Sequence, residues 1–570
     1  MLTVAGTLLG GLGLFLLAVG LMTDGLKQAA GNSLRTILAN WTQTDLRGIA
    51  SGFLITALVQ SSSAVTVATV GFVNAGLLSM RQALGVVYGS NIGTTITAWL
   101  VAAVGFKLDV QAFALPMIGV GMVIRLLRPD GRAAAYGLAL VGFGLFFVGI
   151  DLLKGAFEGL VATFDVSTLA TTGLRSVLLF LLAGIAMTVL AQSSSASIAI
   201  TIAAASSGLV SLNAAAAMII GANVGTTSTA LLASIGATSN SRRVALAQVI
   251  FNVGTGVVAL LLLPLLFLLL DALGRLLELD AEPAVTLALF HTVFNVLGVL
   301  LVLPFNNRLA SWLEQRFRSR EAAPALPRFI DSTVAATPAL AVNALVQELE
   351  ALAGRTAQLA LAVSRQQLDG NGLHTESTHI RQLAAAVSHF LMEVSREPLS
   401  EESTQQLASL LRVDQYLLSC LHEINQLYTL NVSLDGQLPL AVRTELERFR
   451  QRFCGVLESD ISHAELLQQD FEQAQTQLQT EHDMLKARLL VVTTEHQLPF
   501  EEMLVQVELA ALQLHLARQW LKAMRYLQRL HDVTGITDKL TDSRDQPGQE
   551  TADPGESDEA VALEGENEKT

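Results

Sequence analysis

A five-residue run, Gln60-Ser61-Ser62-Ser63-Ala64, recurs 132 positions later as Gln192-Ser193-Ser194-Ser195-Ala196. Self-similarity at a fixed spacing limits the architectures open to a chain more tightly than any single motif. The same offset relates Thr69 to Thr201, Gly76 to Gly208 and Ser79 to Ser211. It also relates Gly89-Ser90-Asn91-Ile92-Gly93-Thr94-Thr95 to Gly221-Ala222-Asn223-Val224-Gly225-Thr226-Thr227. A duplicated unit is the simplest account. Each copy opens with an apolar span, 4–22 and then 132–150, and continues into a longer apolar region that the polar run interrupts. A helix needs about 20 apolar residues to cross a bilayer, and the stretches on either side of each polar run are shorter than that. Residues 48–80 and 176–211 are therefore expected to be helical hairpins that enter the membrane, turn back at the serines and add no net crossing. Two further spans complete each unit.

Three crossings per unit is an odd number, which places the second copy upside down relative to the first. With the N-terminus outside, one side of the membrane receives Lys27, Arg35, Arg47, Arg81, Arg125, Arg128, Arg132, Arg242, Arg243, Arg308, Arg316, Arg318 and Arg320. The other side receives Lys107, Lys154, Arg175 and Arg275, an asymmetry that fits the positive-inside rule. A last span, 283–304, then delivers the remainder of the chain to the cytoplasm. The first apolar stretch has no basic residue before it and no small-residue cleavage signature after it, so it is expected to remain as a membrane helix.

Composition agrees with a membrane half followed by a polar half. Over 570 residues, 51% are hydrophobic and 15% charged, too apolar for a soluble chain of this length. The formal charge of -14 is mostly local: the thirty residues from Thr541 hold ten acidic and two basic side chains, a net -8. Without a concentrated basic face, a nucleic-acid partner is excluded. The two cysteines, Cys420 and Cys454, point to a reducing compartment rather than to a disulfide framework.

Chemistry enters through the interrupted helices. Broken backbone at membrane depth is tolerated where it lines a cavity, and the amide end of a returning half-helix attracts anions. Two inverted copies would aim two such ends at one oxyanion from opposite sides. The Asn-x-Gly-Thr-Thr segments add carbonyl and hydroxyl oxygens of the kind that hard cations prefer. Neither hairpin, nor the spans around Asn91 and Asn223, contains a Lys, Arg, His, Asp or Glu. A divalent anion there would need co-bound cations to offset its charge, and sodium serves where no titratable side chain lines the path. Motifs of this composition also serve close helix packing; duplication of both in one register favours a site. His291 is expected to be a packed, hydrogen-bonded histidine, and Asn252 and Asn295 to be interhelical hydrogen-bonding groups. Paired carboxylates, a metal cluster and a nucleophile with a nearby base are all missing from the core, so an enzyme is not expected.

Paired Gln-Ser-Ser-Ser hairpins, each followed by a Gly-x-Asn-x-Gly-Thr-Thr helix, resemble the type II sodium-phosphate cotransporter family over residues 1–310. The resemblance implies phosphate held between the hairpins, sodium held by nearby polar side chains, and an elevator-like movement of the hairpin-containing part against a scaffold. Carried over, it puts Ser61, Ser62, Ser63, Ser193, Ser194 and Ser195 on phosphate. Gln60, Gln192, Asn91, Thr94, Asn223 and Thr226 would order the site or coordinate sodium. Asp151–Thr172 is short and free of cysteine, unlike the large loop of animal members, so the chain looks like a bacterial one in the inner membrane. No other cofactor is implied. A carrier of another oxyanion, an exporter and a membrane phosphate sensor stay open beside the symporter.

The polar half reads as amphipathic helices. Leu345, Leu349, Leu352, Leu359 and Val363 recur at helical spacing, as do Leu407, Leu410, Leu411, Leu417, Leu418, Leu421 and Ile424, which predicts a bundle of five or six long helices. Asn371-Gly372 and 432–439 read as loops. Its position resembles the PhoU-like domain of bacterial family members, which implies regulation; self-association into a homo-oligomer is the plainer role. The expected organisation is all-α: one unit at 1–131, a second at 132–282, a final span at 283–304, a linker at 305–337, the bundle at 338–540 and a disordered acidic tail at 541–570.

Overall fold

The computed structural model describes residues 2–74, 76–105, 110–163, 173–279, 282–317, 325–335, 338–396, 401–432, 438–458 and 468–534. Expectations for the acidic tail fall outside the described residues. The described residues form helices joined by short turns, with no strand among them, so the protein is all-α. Six stretches are long and apolar enough to cross a membrane: Gly6–Ala30, Gly131–Ala162, Leu174–Ala191, Leu212–Ala233, Ser239–Leu261 and Pro283–Glu314.

The first unit comprises α1 (Leu2–Asn40), α2 (Asp45–Val59), α3 (Ser62–Asn74), α4 (Met80–Gly93), α5 (Thr95–Gly105) and α6 (Val110–Leu127). The second follows the same order as α7 (Gly131–Thr163), α8 (Leu174–Ala191), α9 (Ser194–Ser206), α10 (Leu212–Gly225), α11 (Thr227–Ala233) and α12 (Ser239–Leu261). Then come α13 (Leu263–Leu276), α14 (Pro283–Val302) and α15 (Asn306–Glu314). The hairpin arms differ from expectation in one respect. Arm α8, with 18 residues, has the length of a crossing, whereas its counterpart α2 has 15. Both arms nevertheless stop at the glutamine of the polar run.

Close packing repeats at the sequence offset. A side-chain carbon on Gly52 would lie 2.1 Å from the Val86 carbonyl oxygen, and one on Gly184 would lie 2.1 Å from that of Met218. A side-chain carbon on Gly89 would lie 2.0 Å from the Ile49 carbonyl oxygen, and one on Gly221 would lie 2.0 Å from that of Leu181. Each pair differs by 132 positions. Apolar burial gives no net attraction between helices already in lipid, so backbone approach through small residues holds such pairs together. Between the units, α1 and α7 pack the same way, with Gly25 against Ala139 and Gly142 against Met22. Large apolar side chains such as Leu54, Leu58, Leu178, Leu182, Leu190, Leu265 and Leu268 stay exposed as a surface suited to lipid.

The polar half is a bundle of six helices among the described residues: α17 (Pro338–Ser364), α18 (Gly370–Val394), α19 (Glu401–Val432), α20 (Leu440–Glu458), α21 (Gln468–Thr494) and α22 (Phe500–Thr534), preceded by the short α16 (Ser332–Ala335). Leu345, Leu349, Leu352, Leu359 and Val363 are all buried. Leu407, Leu410, Leu417, Leu421 and Ile424 are buried too, but Leu411 and Leu418 face outward, because a stripe read at three- and four-residue steps is wider than the face that packs. Asn371-Gly372 is no loop: α18 begins at Gly370, since the Asp369 carboxylate accepts from the Gly372 amide at 2.8 Å and caps the first turn. Residues 433–437 of the other expected loop are outside the described residues.

The bundle sits on the membrane half. Leu340 of α17 packs against Gly71 of α3, and Gln347 against Gly76. In the linking segment, the Asp331 carboxylate accepts from the Thr238 amide at 3.1 Å, from the Thr238 hydroxyl at 3.0 Å and from the Ser241 hydroxyl. The Thr238 hydroxyl also lies 3.1 Å from Asn74 Oδ1, so the ends of α3 and α12 meet the linker at one point. Arg243, 5% exposed, donates to the carbonyls of Leu313, Glu314 and Arg316. Those carbonyls close α15, where a cation is favoured.

Candidate functional site

Each hairpin turns on a glutamine in the left-handed region, Gln60 at φ 57° and Gln192 at φ 52°. That conformation is costly for a residue with a side chain. Here the amide offsets it by donating back to the closing turn, Gln60 Nε2 to the Ala57 carbonyl and Gln192 Nε2 to that of Val189. The next residue caps the returning helix. Ser61 Oγ accepts from the Ala64 amide at 3.2 Å, and Ser193 Oγ accepts from the Ala196 amide at 3.2 Å. Two further serines then form the first turn of each helix, where backbone amides have no intrahelical acceptor. The Gly-Thr-Thr segments break α4 from α5 and α10 from α11. Thr94 Oγ1 donates to the Asn91 carbonyl at 2.7 Å and Thr226 Oγ1 to the Ala222 carbonyl at 3.1 Å.

The hairpins come together through the first unit's broken helix. Thr97, just past the first break, donates from Oγ1 to Gln60 Oε1 at 2.7 Å and lies 3.3 Å from Ser195 Oγ. One hydroxyl thus joins the first hairpin's turn to the second hairpin's returning helix. The reciprocal surroundings are open. Ser63 and Thr229, which are Ser195 and Thr97 shifted by 132, line a cavity of about 150 Å³ with Thr66, Ser234, Ser241 and Gln248. No charged side chain lines it. Apolar side chains, among them Val67, Val70 and Ala245, supply most of its surface, and Thr66 Oγ1 and Gln248 Oε1 are buried oxygens without a hydrogen-bond partner.

Of the sequence-predicted residues, Gln60 and Ser195 are linked through Thr97, and Ser63 lines the cavity. Ser62, Ser194, Asn91, Thr94, Asn223 and Thr226 are buried, Ser61 and Ser193 serve as helix caps, and Gln192 is exposed. Thr66, Thr97, Thr229 and Gln248 escaped sequence reading, although Thr97 and Thr229 keep the 132 offset. His291 is fully buried, but both its ring nitrogens lack partners. Asn252 has no side-chain partner, and Asn295 donates within its own helix to the His291 carbonyl at 2.9 Å. The expected interhelical bonds are therefore not made.

A multi-pass helical membrane protein, with two duplicated broken-helix units beside a cavity that no charged side chain lines, is the build of a solute transporter. The chain belongs to the Na+/Pi-cotransporter family, whose model matches residues 14–155 and 161–313. It is a phosphate transporter and not an enzyme. YjbB of Escherichia coli (strain K12), by its name a candidate inorganic phosphate export protein, is 26% identical over 415 residues, covering 71% of this chain and 74% of that protein. The uncharacterized protein YqeW of Bacillus subtilis (strain 168) is 30% identical over 296 residues, 51% of this chain and 92% of its own. Human sodium-dependent phosphate transport protein 2B is 35% identical over 97 residues, 17% of this chain and 14% of its own. No solved structure matches the chain.

Proposed function

We propose that the chain is a sodium-coupled inorganic phosphate symporter of the bacterial inner membrane, with its N-terminus outside and its bundle in the cytoplasm. The observation that carries this reading is the meeting of the two hairpins at Gln60, Thr97 and Ser195 beside a cavity that no charged side chain lines. Phosphate at the serine-capped amide ends would keep a deficit of positive charge, since half-helix dipoles supply about half a charge each. Sodium ions held by the oxygens of Asn91, Thr94, Asn223, Thr226, Gln60 and Gln192 would make up that deficit. Likeness to sodium-dependent transport protein 2B over 97 residues supports the coupling. The hairpins would carry the site past a scaffold in an elevator movement, and the PhoU-like bundle, seated on α3, would regulate it.

Phosphate export is the second reading, favoured by the longer likeness to YjbB. A symporter runs in the direction its summed gradients dictate, so the two readings share one site. Radiolabelled phosphate flux in proteoliposomes under imposed sodium or proton gradients tests the coupling. Sodium should drive flux, and Ser62→Ala or Ser194→Ala should lower it about ten- to hundredfold, the worth of a hydrogen bond to a charged group. Flux indifferent to sodium would remove symport, and binding without flux would make the protein a phosphate sensor.

A further inference from the structure

The two halves of the site are chemically equivalent but differently occupied. The bonded chain runs Gln60–Thr97–Ser195. Shifted by 132, with the units exchanged, the same residue types are Gln192–Thr229–Ser63. That second chain is not made: Gln192 is exposed, Thr229 donates to its own helix at the Thr226 carbonyl, 2.8 Å away, and Ser63 and Thr229 both line the cavity. The packing is reciprocal as well, with α5 on α9 and α11 on α3. The cavity lies in the half of the membrane region nearer the bundle, since Ser241, which lines it, also bonds Asp331 of the linker.

Resting on the transport reading, we propose that Thr97 and Thr229 are reciprocal latches of alternating access. Here the Thr97 latch is fastened and shuts the half away from the bundle, leaving the bundle-side half open. In the opposite state Gln192, Thr229 and Ser63 form the equivalent chain, the bundle-side cavity closes, and Thr97 is released. A duplicated sequence builds both states from one set of contacts, because exchanging the conformations of the units exchanges the latches. The two threonines act by positioning the hairpins.

The experiment uses the full chain in proteoliposomes with Ala233→Cys as reporter on the cavity wall. A membrane-impermeant maleimide is added on the bundle side, and background is taken from the reporter-free parent. Thr97→Val should reduce the labelling rate about fivefold and Thr229→Val should raise it, each losing one buried hydrogen bond. Thr97→Ser and Thr229→Ser, which keep the hydroxyl, should restore the parent rate. Shifts in the same direction, no shift, or equal shifts from Val and Ser would overturn the latches. Phosphate flux by the reporter parent in the same vesicles separates the outcomes: flux with unmoved labelling sinks the latches alone, whereas absent flux sinks the transport reading.

Discussion

The first and second hairpins share their turn, their caps and their glycine contacts, yet they occupy different surroundings. Gln60 is buried against Thr97, while Gln192 is exposed. Gly76 and Gly208 both hold positive φ, but only Gly76 has a neighbour, Gln347 of the bundle at 2.9 Å from a built side-chain carbon. Where the first hairpin has Gly71 under Leu340, the second has Ala203. Local sequence thus sets the shape of each hairpin, and partners from outside the hairpin set which copy is engaged.

The strongest test of the shared part is steric. Gly52→Leu and Gly184→Leu should be equally damaging, each losing on the order of 3 kcal/mol or more as helices are forced apart; size-exclusion profiles after heating would show matching losses of monodisperse protein. A marked inequality would mean the units do not fold by the same packing. The unshared part is tested at the glutamines. Gln60→Ala should speed hydrogen exchange at the first hairpin's turn about tenfold through its lost bond to Thr97, and Gln192→Ala should change the second hairpin's turn less than about threefold.

Smaller effects probe the bundle's one-sided grip. Asp331→Asn weakens charge-assisted bonds worth about 1–2 kcal/mol to Thr238 and Ser241. Hydrogen exchange should rise in the first turn of α12 and stay unchanged in α10, which Ser211 caps by itself. The smallest effect is a pH dependence. Burial pushes the Asp414 carboxyl up to about 6, with Ser388 as a partner at 3.0 Å. The folded bundle therefore binds this proton more tightly than the unfolded chain, and stability falls as pH rises from about 4 through 6. Raising pH from 5 to 8 should lower protection factors, taken after correction for base-catalysed intrinsic exchange, in α19 and, through the contact with α17, in α3 but not in α9. Asp414→Asn should flatten that response.

The sequence made the duplication legible because identical motifs at one offset impose identical local geometry, and the turn at Gln60 and Gln192 follows from it. Long periodic stretches likewise announced the bundle. What stayed hidden depends on the third dimension. Nothing near Gln192 says that it faces outward, since its neighbours match those of Gln60. Thr97 and Thr229 sat two residues beyond the motif and looked like ordinary helix threonines. Asn371-Gly372 misled because Asp369, two residues earlier, supplies a cap that turns a loop-like pair into a helical first turn.

Arg243 commits its guanidinium to backbone carbonyls at the end of α15 and to Asn240 Oδ1. Because the acceptors at the end of α15 belong to the main chain, the joint has no flexible side chain in series on that face. It behaves as a stiff rivet rather than a spring. Any displacement of the segment that leads out to the bundle is delivered to α12, one wall of the cavity, with little lost to slack.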